Sequence, residues 1–213
     1  MERLIIAITG ASGVIYGIRV LEALRAAARA QSTAAGERAI ESHLILSPSA
    51  ARTIMEETGR EVGEIKALAD VVHPFRDIGA SLSSGSYRTL GMLVAPCSIK
   101  TLSGIANSYD DNLIVRAADV CLKERRRVVL LLRETPLHLG HIELMRRATE
   151  IGAVVMPPAP AFYHRPKTID DIVDQTVGRA LDLFGLDLGL VKRWTESEEA
   201  RELTAAEGDE DPG

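Results

Sequence analysis

The chain has 213 residues, 46% of them hydrophobic, which suits one domain with a sizeable core. Its formal charge of −5 is unevenly placed: from Thr195 onward eight acidic residues and one basic sum to −7, leaving +2 for the rest. A near-neutral body with 4% aromatic residues offers no nucleic-acid surface, no apolar run is long enough to span a membrane, and two cysteines, Cys97 and Cys121, cannot build a disulfide framework.

The apolar run Leu4–Thr9 predicts a buried parallel strand, and it flows directly into glycines rather than reading as a secretory leader. A reducing cytoplasm is the expected compartment. Gly10-Ala11-Ser12-Gly13 follows as a turn, then Ile15, Ile18, Leu21 and Leu24 recur at helical spacing. Strand, glycine turn and helix predict an anion-binding cradle. The first helical turn has unpaired N–H groups at a positive dipole end, and glycine lets a phosphate approach the backbone. The plainer alternative is a turn that only permits close packing.

Gln31–Glu41 is a polar connection, and His43–Leu46 is the second strand, ending at Ser47-Pro48. Ser49 is the expected cap of a helix through Ile54 and Met55, closed by Gly59, with another helical piece over Val62–Leu68 and a short strand at Val71–Val72. The small-residue loop from Asp77 to Thr89 is too long for a mere connector. Met92–Ala95 is a strand broken by Pro96, emptying into Cys97-Ser98-Ile99-Lys100-Thr101 and a helix. Asn112–Glu124 reads as helix, Val128–Leu132 as strand, His141–Ile151 as helix and Ala153–Met156 as strand. Thr168 with Asp171 forms a capping box for a last helix, Ile169–Phe184, and the acidic segment 195–213 is expected to be disordered.

Alternating strands and helices predict a three-layer α/β domain with a mostly parallel sheet, Rossmann-like or flavodoxin-like. Polar groups gather at the predicted carboxyl ends of its strands: Thr9–Gly13, Ser47, Ser98–Thr101, and Arg133 with Glu134. Ligands of such sheets bind there. A dinucleotide site places an acidic residue at the end of the second strand; here that place is Ser47-Pro48, with Arg52 the one group suited to a 2′-phosphate. A mononucleotide such as FMN fits better. Ser12 is not a hydrolase nucleophile, because the elbow G-x-S-x-G would need glycine where Val14 stands. His138, His141 and His164 with Glu134 and Glu143 raise a metal reading, but spacing fixes no third ligand. Cys97 reads as a small buried side chain.

Five stretches, 8–17, 96–104, 116–126, 133–141 and 160–166, resemble in order the UbiX-type flavin prenyltransferases, and the likeness runs from Arg3 to Trp194. The resemblance implies a cytoplasmic homododecamer that joins the dimethylallyl group of dimethylallyl phosphate to N5 and C6 of reduced FMN, without a metal. It also implies that prenylated FMN passes to a UbiD-type decarboxylase, often in ubiquinone biosynthesis. By the same resemblance Gly10, Ala11, Ser12, Ser47, Ser98, Ile99, Lys100, Thr101 and Arg133 contact FMN. Arg116, Lys123, Tyr163 and Arg179 hold the allylic phosphate, Glu134 handles protons, and Ser12, Lys123 and Tyr163 join it in catalysis. The chain departs from the family pattern at Ile78, where some relatives carry Trp, and at Pro48, where a basic residue commonly follows the serine. Two alternatives are an FMN-dependent decarboxylase of a cysteine-containing substrate and a flavin carrier subunit. The first typically shows a Pro-x-Met-Asn clamp where this chain has Pro96-Cys97-Ser98-Ile99.

Overall fold

The computed structural model describes residues 2–31 and 40–194, so most of the expected polar connection and all of the acidic segment lie outside it. Among the described residues six parallel strands form one sheet: β1 (Glu2–Ile8), β2 (Ile40–Leu46), β3 (Val71–His73), β4 (Gly91–Cys97), β5 (Arg127–Leu132) and β6 (Val154–Val155). Their spatial order is β3-β2-β1-β4-β5-β6. That is the order of a dinucleotide-binding sheet; without the three-residue edge strand β3 it becomes the flavodoxin-like order. Both expectations for the fold are therefore met.

The helices are α1 (Val14–Gln31), α2 (Pro48–Thr58), α3 (Val62–Lys66), α4 (Ile99–Ala106), α5 (Leu113–Lys123), α6 (Leu139–Glu150) and α7 (Ile169–Asp182). Strand side chains alternate between two faces. Leu4, Ile6 and Ile8 of β1 pack toward Val14, Ile18 and Leu21 of α1 and Val173 and Val177 of α7. Ile5 and Ala7 pack toward Leu102 of α4 and Leu113 and Ala117 of α5. All five β1 residues are essentially inaccessible, and each large aliphatic buried this way contributes about 1.5–3 kcal/mol. The run is unbroken because helices cover both faces.

Three local expectations are corrected. The α2 cap is Ser47, not Ser49: Pro48 occupies the first helical position, where its missing N–H costs nothing, so the capping residue must precede it. The Ser47 hydroxyl accepts from Ala50 N–H at 3.1 Å. Strand β4 runs through Pro96 to Cys97, with a shift in its register against β5 between Val94 and Cys97. Helix α6 begins at Leu139 because His138 caps it, its Nδ1 accepting from Gly140 N–H at 3.0 Å. The Thr168–Asp171 capping box of α7 is present.

Candidate active site

Four strand ends are joined in one row along the carboxyl edge. Ser47 N–H donates to Ile8 O (3.0 Å), Thr9 N–H to Pro96 O (3.3 Å) and Arg133 N–H to Cys97 O (3.0 Å). The buried Thr9 hydroxyl completes the row, donating to Pro96 O at 2.7 Å and accepting from Ser98 N–H at 2.9 Å. This tie spans β1 and β4, where the strand order reverses and open parallel sheets hold their ligands. Ser47, Ser98 and Arg133 thus stand on successive strand ends, flanking Thr9.

The glycine turn is shaped by two contacts. A Cβ on Gly10 would lie 2.4 Å from Cβ and Oγ of Ser49, so bare backbone is what lets the start of α2 approach. Gly13 has φ +96°, which side-chain-bearing residues rarely adopt. Its N–H donates to Glu57 Oε2 at 2.9 Å and Oε1 at 3.2 Å, and Val14 N–H donates to the same Oε2 at 3.1 Å. The N-terminal N–H groups of α1, read from sequence as a phosphate cradle, therefore hold a carboxylate from the last turn of α2. Gly10, Ala11 and the exposed Ser12 remain ahead of that ion contact.

Helix α4 offers the other cradle. Ser98 caps it, Oγ accepting from Thr101 N–H at 3.3 Å and donating to Thr101 Oγ1 at 3.1 Å. No acidic residue lies in its first turn, and the N–H groups of Ile99 and Lys100 have no intrahelical acceptor. A groove of about 760 Å³ opens before α2 and α4, lined by Ser47, Ser49, Phe75, Ser98, Lys100 and Thr101. That volume suits a small-molecule ligand. On the next strand end Arg133 is exposed and Glu134 half-buried, with Glu134 Oε1 accepting from Thr135 N–H at 3.2 Å.

A second cleft, about 330 Å³, is formed by Tyr163, Arg179, Val191, Arg193 and Trp194. The Tyr163 ring meets Trp194 edge-on at 5.4 Å. Asp182 pairs with both guanidiniums, at 2.7 Å to Arg179 and 3.1 Å to Arg193. Two of the four donor-contact residues expected from sequence are thus brought together. Arg193 and Trp194 join them unforeseen; their adjacency at the end of the apolar sequence was the only signal.

The other two stand apart. Arg116, in the first half of α5, pairs with Asp110 (3.0 Å) and Asp119 (3.4 Å) and donates to Ser83 O (3.3 Å). Lys123 ends α5, pairs with Glu124 at 2.6 Å and lies toward the amino edge, where β5 starts four residues later. Neither lines the groove or the Tyr163 cleft.

Other candidates have structural explanations. His138 caps α6 and its ring lies tilted against His141, centroids 3.6 Å apart and planes at 34°. Among the described residues no group of three or more His, Cys, Asp or Glu is placed to hold a metal ion. Cys97 and Cys121 are free and buried; burial pushes the Cys121 thiol up to about 11 and raises Cys97 further.

A parallel sheet whose strand ends present hydroxyls and a free helix N-terminus around one groove, with Arg133 on the next strand end, is the arrangement of a mononucleotide-binding flavoprotein, and residues 1–181 match the Flavoprotein family. Within that class the chain belongs to the UbiX flavin prenyltransferases. It is 56% identical over 201 residues to flavin prenyltransferase UbiX of Thauera aromatica, covering 94% of this chain and 97% of that one. The crystal structure of AnUbiX (PadA1) in complex with FMN and dimethylallyl pyrophosphate superposes with TM-score 0.85 at 48% identity, covering 92% of this chain and 99% of that one. A dodecameric FMN-dependent UbiX-like decarboxylase from Escherichia coli O157:H7 gives TM-score 0.83 at 45% identity, covering 92% and 100%.

Proposed function

We propose that residues 1–194 form a flavin prenyltransferase that joins the dimethylallyl group of dimethylallyl phosphate to N5 and C6 of FMN. The observation that carries this reading is the presence of two separate clefts that each offer groups able to meet a phosphate, the α4 groove with its helix N-terminus and hydroxyls and the cleft with Tyr163, Arg179 and Arg193, whose guanidiniums are paired with Asp182. Storage of one mononucleotide needs only the first. The residues present fit FMN: Ser47, Ser98 and Thr101 supply hydroxyls to the groove, α4 supplies unpaired N–H groups, and the exposed Arg133 stands on the adjoining strand end, tied to Cys97 O. Because Glu57 occupies the α1 N-terminus, the FMN phosphate is assigned to Ser98–Thr101 on α4 and the Gly10–Ser12 backbone to another part of the cofactor.

Reduced FMN, when bound, supplies the electron-rich ring positions that take the allyl carbon. The protein's part is electrostatic and protonic. Tyr163 and Arg179 of one chain, with Lys123 and Arg116 of a neighbouring copy, hold the donor phosphate and stabilise the charge it gains as the C–O bond breaks. Glu134, half-buried and beside Arg133, accepts a proton released as the ring is alkylated. Ser12, at the open end of the glycine turn, holds the reacting ring by hydrogen bonding. Because Lys123 and Arg116 line neither cleft of their own chain, they serve the donor of a neighbouring copy in a homo-oligomer, which we assign as a dodecamer. We further assign a UbiD-type decarboxylase as recipient of the product and the cytoplasm as the compartment, consistent with two free thiols.

The test is anaerobic incubation with FMN, reductant and either dimethylallyl monophosphate or the pyrophosphate. The expected result is a flavin heavier by one prenyl unit, formed faster from the monophosphate. Unaltered flavin mass with folded protein refutes transfer and leaves a carrier; carbon dioxide release from a cysteine-containing substrate would favour the decarboxylase reading instead.

A further inference from the structure

Behind Tyr163 lies a side chain that none of the preceding chemistry uses. Gln175 of α7 is only 3% exposed, and its amide faces Tyr163 on one side and the main chain of Lys192 on the other. Lys192 N–H donates to Gln175 Oε1 at 2.9 Å. A backbone N–H can only donate, so the oxygen of the amide is fixed on that side and Nε2 must face the phenol. Nε2 then donates to the Tyr163 hydroxyl oxygen at 2.8 Å and, more weakly, to Lys192 O at 3.4 Å. A phenol has a single proton. With its oxygen accepting from Gln175, that proton is left to donate outward, toward the cleft that Tyr163 shares with Arg179 and Arg193.

We infer that Gln175 is a positioning residue that sets the polarity of the Tyr163 hydroxyl, presenting it as a hydrogen-bond donor to the allylic phosphate. The inference rests on the reading of Tyr163 as a donor contact. It also explains why the segment after α7 returns along that helix. Val191 and Leu190 pack so closely on Gly178 that a Cβ there would lie 2.6 Å from Val191 Cγ2, and this contact holds Lys192 where it can orient the amide. The 45%-exposed phenol is thus aimed by a buried group rather than by solvent.

The experiment is a double-mutant cycle on the full chain with FMN and dimethylallyl monophosphate, using Q175M, Y163F and the pair, with thermal midpoints measured alongside. Losing one hydrogen bond to a charged phosphate corresponds to about a tenfold rise in donor KM. Y163F should show that rise, Q175M a rise of about threefold or more, and Q175M should add almost nothing in the Y163F background. FMN affinity should stay level throughout. Q175E keeps the acceptor for Lys192 N–H but turns the phenol proton inward, so its donor KM should rise at least threefold over wild type and by almost nothing in the Y163F background; it carries the test where Q175M does not fold, and a KM equal to wild type would overturn the inference. Equal Q175M effects with and without the hydroxyl would overturn the inference while leaving the donor site intact. No change in Y163F would instead overturn the assignment of Tyr163, and the inference with it.

Discussion

The Thr9 tie can be removed with one nearly isosteric change, Thr9→Val. Its hydroxyl makes two bonds, 2.7 Å to Pro96 O and 2.9 Å from Ser98 N–H, and the residue is 1% exposed. Valine leaves Ser98 N–H without its acceptor, which costs about 1–3 kcal/mol, and removes the bond to Pro96 O, worth about 0.5–1.5 kcal/mol. Pro96 O keeps Thr9 N–H at 3.3 Å, so the second loss is partial. The expected destabilisation is about 2–3 kcal/mol, or about 4–12 °C in thermal midpoint for a domain of this size. Ser98 caps the helix assigned to the cofactor phosphate, so FMN should bind about tenfold more weakly, the equivalent of one charge-assisted hydrogen bond. Thr9→Ser keeps both bonds and should lose only the buried methyl, about 1 kcal/mol. The assay is thermal unfolding followed by FMN titration of wild type, T9V and T9S. Were T9V to match T9S in both midpoint and FMN affinity, the hydroxyl would not be what joins the two loops.

Two further predictions address the assembly and the edge of the sheet. Lys123→Ala and Glu134→Gln should each abolish prenyl transfer. Oligomers reassembled from an equal mixture should regain about a quarter of wild-type activity if the two groups come from different copies; no recovery would place them in one chain. At the β2–β3 edge, His43 Nδ1 lies 2.9 Å from His73 Nε2, and burial, then the neighbouring His43, hold the His73 pKa below the ordinary value. The unfolded chain binds that proton more readily, so stability should be full above about pH 6.5 and decline as pH falls below it. His73→Gln should flatten this slope in unfolding titrations between about pH 7 and 5, and identical slopes would refute it.

Much of the fold was legible because its signals are local. The apolar run of β1 declares burial on both faces, and the spacing through Leu24 declares α1. Misreadings arose where a local cue had two uses. Ser47 and Ser49 can both cap, and the proline between them decides; proline commonly ends a strand, yet β4 continues past Pro96 to Cys97. The site was half legible. Hydroxyls and Arg133 announce themselves at strand ends, but Glu57 reaches Gly13 across 44 positions in sequence, and nothing in the spacing reports that. Gln175 was hidden for the same reason, since its partners Tyr163 and Lys192 lie 12 and 17 residues away on opposite sides. Lys123 and Tyr163 look equivalent in the sequence, but the fold sends them to different places.

Glu57 has a bearing on where this architecture takes its ligand. The N–H groups that open α1 already hold the exposed carboxylate of Glu57, supplied by the neighbouring helix. An anion arriving at that helix end would have to displace a charge the chain itself carries there, whereas the start of α4 has no acidic residue in its first turn.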